Sequence, residues 1–158
     1  MISEEFAEDL GSTLATFLFW PPMAGRVSAV LMMSSTPLTL ADLQVRLGAS
    51  GGSISEMTRL LLTTGVIRRI KTPGVRRAQF EWAPDAWVNC VKHTASQMAR
   101  LHELAQRTGA QAGESAPMFR ERLNEMQRYY ERMTESVAQI ANDYEAEFRR
   151  SQAQVLAE

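Results

Sequence analysis

Residues 47–70 read LGASGGSISEMTRLLLTTGVIRRI. Gly48 is placed to end one helical pattern and Ser50 to cap the next, so a connection of only three residues joins two helices. The second helix is predicted over about 51–64, with Ile54, Met57, Leu61 and Leu60 on its apolar face and Gly65 as its stop. Its leading turn carries almost no side-chain bulk: Gly51, Gly52, Ser53 and Ser55. A helix that begins this way can bring its backbone close to a partner. The exposed N–H groups at such an end attract phosphate.

Working outward, VIRRIK (66–71), TPGV (72–75) and RRAQFEW (76–82) read as two period-2 segments around a Pro-Gly turn, hence a β-hairpin. Upstream, a helix over about 4–18 is capped by Ser3 and has an apolar stripe of Phe6, Leu10, Leu14 and Phe17. Pro21 and Pro22 end it. A second helix runs over about 23–33 with Val27, Val30 and Leu31 inward, SSTPLT (34–39) is a loop, and Thr39 caps a third helix over 40–47 through Leu40, Leu43 and Leu47. Helices, a tight turn, another helix and a hairpin in this order make a winged helix-turn-helix, so the fold class is mainly α with a small β wing.

The charge distribution agrees with that order. The 158 residues sum to a net charge of −1, but residues 44–77 alone carry +6 while both flanks are net negative. A basic segment in an otherwise acidic chain is the footprint of a polyanion-binding surface. The expected contacts with double-stranded DNA are Ser50, Gly51, Gly52, Ser53, Ser55, Thr58 and Arg59 from the recognition helix. Thr58 and Arg59 enter as outward positions i+3 and i+4 from Ser55. Arg68, Arg69, Lys71, Arg76 and Arg77 complete the set from the wing, whose tip arginines suit a minor groove. A nucleotide-binding glycine loop is excluded, because the segment lacks GK[ST] and follows a helix rather than a strand.

The C-terminal half reads as two helices. One, over about 84–108, is opened by Pro84 and closed by Gly109; TGAQAGESAP is a linker; the other covers about 117–155. In the last helix Phe119, Leu123, Met126, Tyr130, Met133, Val137, Ile140 and Tyr144 alternate at spacings of four and three, a heptad stripe. A helix that long, about 1.5 Å per residue, outruns any single small domain, so its stripe calls for a second copy of the chain. Phe6, Leu10, Leu14, Phe17, Met126, Tyr130, Met133, Val137, Ile140 and Tyr144 are therefore the expected dimerisation residues. The expected division is 1–20 for an N-terminal helix contributing to dimerisation, 21–83 for the winged helix and 84–158 for the helical dimerisation region.

A single cysteine, Cys90, rules out an intrachain disulfide and fits a reducing compartment. The acidic start is unlike a signal peptide, and the most apolar run is broken by Pro21, Pro22 and Arg26, so a cytoplasmic protein without a membrane span is expected. His93 and His102 are spaced nine apart on one helix and lack a supporting cluster, so neither a metal nor any other cofactor is expected. Trp87, Met98, Phe119, Met126 and Met133 suit either core packing or an adaptable ligand pocket. No nucleophile–base pair or paired carboxylates suggest an enzyme.

PPMAGRVSAVLMMSSTPLTLADLQVRLGASGGSISEMTRLLLTTGVIRRIKTPGVRRAQFEW resembles the GbsR branch of the MarR family of bacterial transcriptional regulators over about residues 20–90. The anchors are AGR at the start of the second helix, LGAS-GGSIS entering the recognition helix, GVIRR entering the wing and Pro73-Gly74 with Arg76 and Arg77 at its tip. The resemblance implies a homodimer on a pseudo-palindromic operator, a repressor in the first instance, often answering a small-molecule effector. Relatives commonly regulate osmoprotectant uptake or drug efflux. Two positions depart from the pattern: Gly51 stands where relatives often have a basic residue, and Val75 where they often have an acid that orients the wing arginine. The alternative from another class is a winged-helix module that docks proteins and never touches DNA; bases at both stem and tip of the wing argue against it.

Overall fold

The computed structural model describes residues 4–71, 73–74, 76–111 and 117–155. The expected cap Ser3, Thr72 and Val75, and half of the linker expected between the last two helices (112–116), lie outside them. The chain divides into two compact units, one reaching Ala86 and the other beginning at Trp87.

The first unit runs α1 (Glu4–Phe17), α2 (Pro22–Met33), β1 (Leu38–Thr39), α3 (Leu40–Leu47), α4 (Gly51–Thr64), β2 (Ile67–Ile70) and β3 (Gln79–Trp82). Local chemistry sets most of these ends. Thr39 and Asp42 cap α3 reciprocally: the Asp42 N–H donates to Thr39 Oγ1 at 3.2 Å and the Thr39 N–H to Asp42 Oδ2 at 2.8 Å. Gly48 ends α3 in the left-handed region at φ 59°, where a side chain would be strained. Pro22 opens α2 at a position where its missing N–H costs no hydrogen bond.

The antiparallel sheet has the order β1-β3-β2, with Leu38 opposite Phe80 and Ile67 opposite Trp82. The two-residue strand β1 falls in the segment expected to be loop. It exists because β3 still has a free edge after pairing with β2, and Leu38 fills the core from there at 4% exposure. Val27, Leu31, Leu43, Ile54, Leu61, Val66 and Ile67 close the centre.

Helix α1 packs on α2 through its small residues rather than its aromatic stripe. Gly11 and Ala15 are buried, and a Cβ on Gly25 would lie 2.0 Å from the Gly11 carbonyl oxygen and 2.8 Å from Ala15 Cβ. The close crossing is held at its rim by Arg26, whose Nε donates to Glu8 Oε1 at 2.8 Å. Of the stripe, Leu10 and Leu14 are half-buried while Phe6 is exposed and Phe17 is 81% exposed.

The second unit consists of α5 (Ala86–Gln111) and α6 (Pro117–Val155). Helix α5 runs through Gly109, which does not close it. Lys92 pairs with Glu145 at 2.5 Å, and His102 Nδ1 lies 3.3 Å from the Gln127 carbonyl oxygen, so the two helices are antiparallel. The buried α6 positions are Leu123 and Ala141. In the heptad stripe, Met126, Tyr130, Met133 and Val137 are half-buried, while Phe119, Ile140 and Tyr144 stay exposed.

Candidate nucleic-acid interface

The α3–α4 turn delivers the leading end of α4 to the surface. Ser50 caps it, accepting the Ser53 N–H on Oγ at 3.3 Å, while the Ile54 N–H donates to the Ser50 carbonyl at 3.1 Å. The Gly51 and Gly52 N–H groups belong to the first turn and have no acceptor within the helix. A Cβ on Gly52 would meet nothing within 4 Å, so the backbone there faces open space. Ser50, Gly52 and Arg59 are exposed, and Gly51, Ser53 and Ser55 are half-buried. The slim N-terminal turn expected from the sequence is therefore a surface feature.

Thr58 is a correction. It was expected to face outward beside Arg59, but it is 2% exposed. It lies one turn from Ile54, on the face that α4 turns to the core, and its hydroxyl donates to the Ile54 carbonyl at 2.6 Å. A threonine that satisfies itself on the preceding turn can be buried without an unpaired polar group. The exposed face of α4 instead passes through Gly52, Glu56, Arg59 and Thr63.

The wing displays its bases unequally. Arg69, Lys71, Arg76 and Arg77 are exposed and have no ion-pair partner among the described residues. Arg68 is exposed but committed: its Nε and Nη2 reach Glu81 Oε1 at 2.6 and 2.5 Å across the β2–β3 pair. Glu81 thus neutralises one of the expected cationic contacts. Arg77 lies in the wing loop two residues before β3, in a shallow cleft of about 330 Å³ lined also by Thr39, Leu40, Ala41, Gln44 and Ala78. The Asp42 carboxyl nearby is held below its ordinary value, first by its hydrogen bonds from Thr39 and then by Arg46 and Arg77.

Cys90 is half-buried, and desolvation pushes its thiol up, which favours the neutral form. Among the described residues no three His, Cys, Asp or Glu side chains gather as a metal site, and no helix is long and apolar enough to cross a membrane.

Comparison with known proteins adds the decisive observation. The HTH-type transcriptional regulator MmpR5 of Mycobacterium tuberculosis (strain ATCC 25618 / H37Rv) is 30% identical over 123 residues, 77% of this chain and 74% of that protein. The chain belongs to the MarR family of transcriptional regulators. The profile of the MmpR5-like MarR family of transcriptional regulators matches residues 85–147, which places the family signal on α5 and α6 as well. A solved structure described as the crystal structure of a transcriptional regulator matches this MarR-family chain with a TM-score of 0.78 and 28% identity, over 90% of this chain and 97% of that one. The finer placement in the GbsR branch rests on the sequence resemblance alone.

Proposed function

We propose that this regulator represses transcription by binding a pseudo-palindromic operator as a homodimer, occluding a promoter. The observation that supports the reading is the surface just described. A side-chain-poor, capped helix end shares the one strongly basic segment of the chain with four wing cations that have no ion-pair partner among the described residues. In this reading α4 enters the major groove N-terminus first, Ser53 and Ser55 meet base edges or flanking phosphates, and Arg76 and Arg77 contact the backbone or minor groove. The apolar residues left open on α1 and α6 are the dimer faces. Twofold symmetry then sets two recognition helices about one DNA turn apart.

Selection of bound fragments from random DNA at a stated salt concentration tests this. The expected product is a duplex site of roughly 16–24 base pairs with inverted half-sites. Replacing Arg76 and Arg77 together by Ala should weaken binding and flatten its salt dependence by about one unit of slope for each phosphate left without its cation. Unchanged affinity and slope would remove the wing from the interface. Recovery of no enriched sequence would favour a protein-docking module.

A further inference from the structure

Gly51 is the first residue of α4, and the end of the Gln44 side chain of α3 lies against it. A Cβ at this position would fall 3.1 Å from Gln44 Nε2, 3.4 Å from Gln44 Cδ and 3.5 Å from Gln44 Oε1. The whole carboxamide therefore rests against the first turn of the recognition helix. Gln44 is half-buried, and its backbone carbonyl accepts the Ala49 N–H in the turn at 3.3 Å. Its carboxamide has no hydrogen-bond partner among the described residues. The same side chain lines the cleft that holds Arg77.

These facts place the carboxamide's N–H donors beside the Gly51 backbone, at the positive end of α4, and in the cleft that Arg77 also lines. A carboxamide that is packed in place but unpaired has its donors free for a ligand. The ligand such a row of donors fits is an anion. In a helix-turn-helix the first helix crosses the sugar-phosphate backbone while the second enters the groove. Gln44 is on the first.

We propose that Gln44 is a DNA contact: its Nε2–H donates to a phosphodiester oxygen beside the point where α4 enters the groove, and Gly51 is the seat that keeps the carboxamide there. The assignment rests on the operator reading above. It also assigns Gly51 a second role besides slimness. A side chain at residue 51 crowds the amide, which would have to give by a few tenths of an ångström even for an alanine Cβ.

The test is operator binding by the full chain over a salt series, on the selected duplex and on a scrambled one. The variants are Gln44→Ala, Gln44→Lys, Gly51→Ala and the Gln44→Ala/Gly51→Ala double. Gln44→Ala should weaken both duplexes alike, by about tenfold or more, the size expected when a hydrogen bond to a charged group is removed. The salt slope should stay the same, because no cation is removed. Gln44→Lys should bind both duplexes more tightly than Gln44→Ala and steepen the slope by about 0.9 for each lysine on a phosphate, about 1.8 for the dimer. Gly51→Ala should weaken binding when Gln44 is present and change nothing further in the double variant, a coupling that simple loss of fold cannot produce. A Gln44→Ala effect confined to the selected duplex would make Gln44 a base reader and overturn the phosphate assignment. Wild-type affinity and slope in both Gln44 variants, with Arg76→Ala/Arg77→Ala still impaired, would overturn it while leaving the operator reading intact. A wild type that binds neither duplex would sink both.

Discussion

In the unit that ends at Ala86, Val27, Leu31, Leu43, Ile54, Leu61, Val66 and Ile67 are all at most 2% exposed, and they come from three helices, the α4–β2 turn and the sheet. In α6 the buried positions are Leu123 and Ala141, while Ile140 next to the latter is 57% exposed. Three helices and a sheet enclose a core from several sides. Two antiparallel helices enclose less, and Phe119, Ile140 and Tyr144 of the α6 stripe stay exposed. On the proposed reading, the enclosed region is the platform for the DNA surface and the open α6 stripe is the face for a second copy. Helix α1 belongs to both descriptions: it locks onto α2 through Gly11 and Ala15 and turns Phe6 and Phe17 outward.

The strongest way to break the contrast is to charge the open face. Val137→Asp with Ile140→Asp should abolish association, since two carboxylates cannot be buried unpaired against a second copy. Light scattering would read a fall to one chain, and circular dichroism would separate dissociation from unfolding. An unchanged mass would show that this stripe faces solvent in the working protein. Next in size, Leu61→Ala cuts into the closed core and should cost about 2–5 kcal/mol of stability, read by denaturant unfolding, with the mass unchanged. A loss below about 1 kcal/mol would mean the core is far looser than its burial indicates.

The helix-turn-helix was legible in the sequence because its boundaries are local chemistry. Thr39, Gly48, Ser50 and Gly65 act within a few residues of where they stand, and each ends or caps the helix it was expected to. The failures share a different cause. Strand β1 has two residues, too few for periodicity, and depends on an edge of β3 some forty positions later. The i+3 spacing from Ser55 points Thr58 outward, but Thr58 also stands i+4 from the buried Ile54, and its hydroxyl bonds to that carbonyl. Arg68 counted as a free cation until the hairpin register set Glu81 opposite it. The Gln44–Gly51 contact and the Gly11–Gly25 crossing are pairings between elements, and neither residue announces its partner. Heptad spacing located α6 well. It did not show that Leu123 and Ala141 would be buried while Ile140 stayed open.

A smaller effect sharpens the DNA side. Ser55→Ala should alter the preference at one base pair by about 1–3 kcal/mol if its hydroxyl makes a good base contact. Thr58→Val, at the buried neighbour, should leave sequence preference as it is. Equal shifts for both in a binding-site selection would mean that α4 is rotated relative to the face described above.

The most direct test of the account is the stoichiometry of the complex, measured by light scattering on the free protein and on the protein bound to its selected duplex. The expected result is a free mass of twice the 17.7 kDa of one chain and two chains on a duplex with inverted half-sites. A single chain, free at micromolar concentration and bound one per duplex, would contradict the account, because the open stripes of α1 and α6 and the twofold operator would then both lack the partner that explains them.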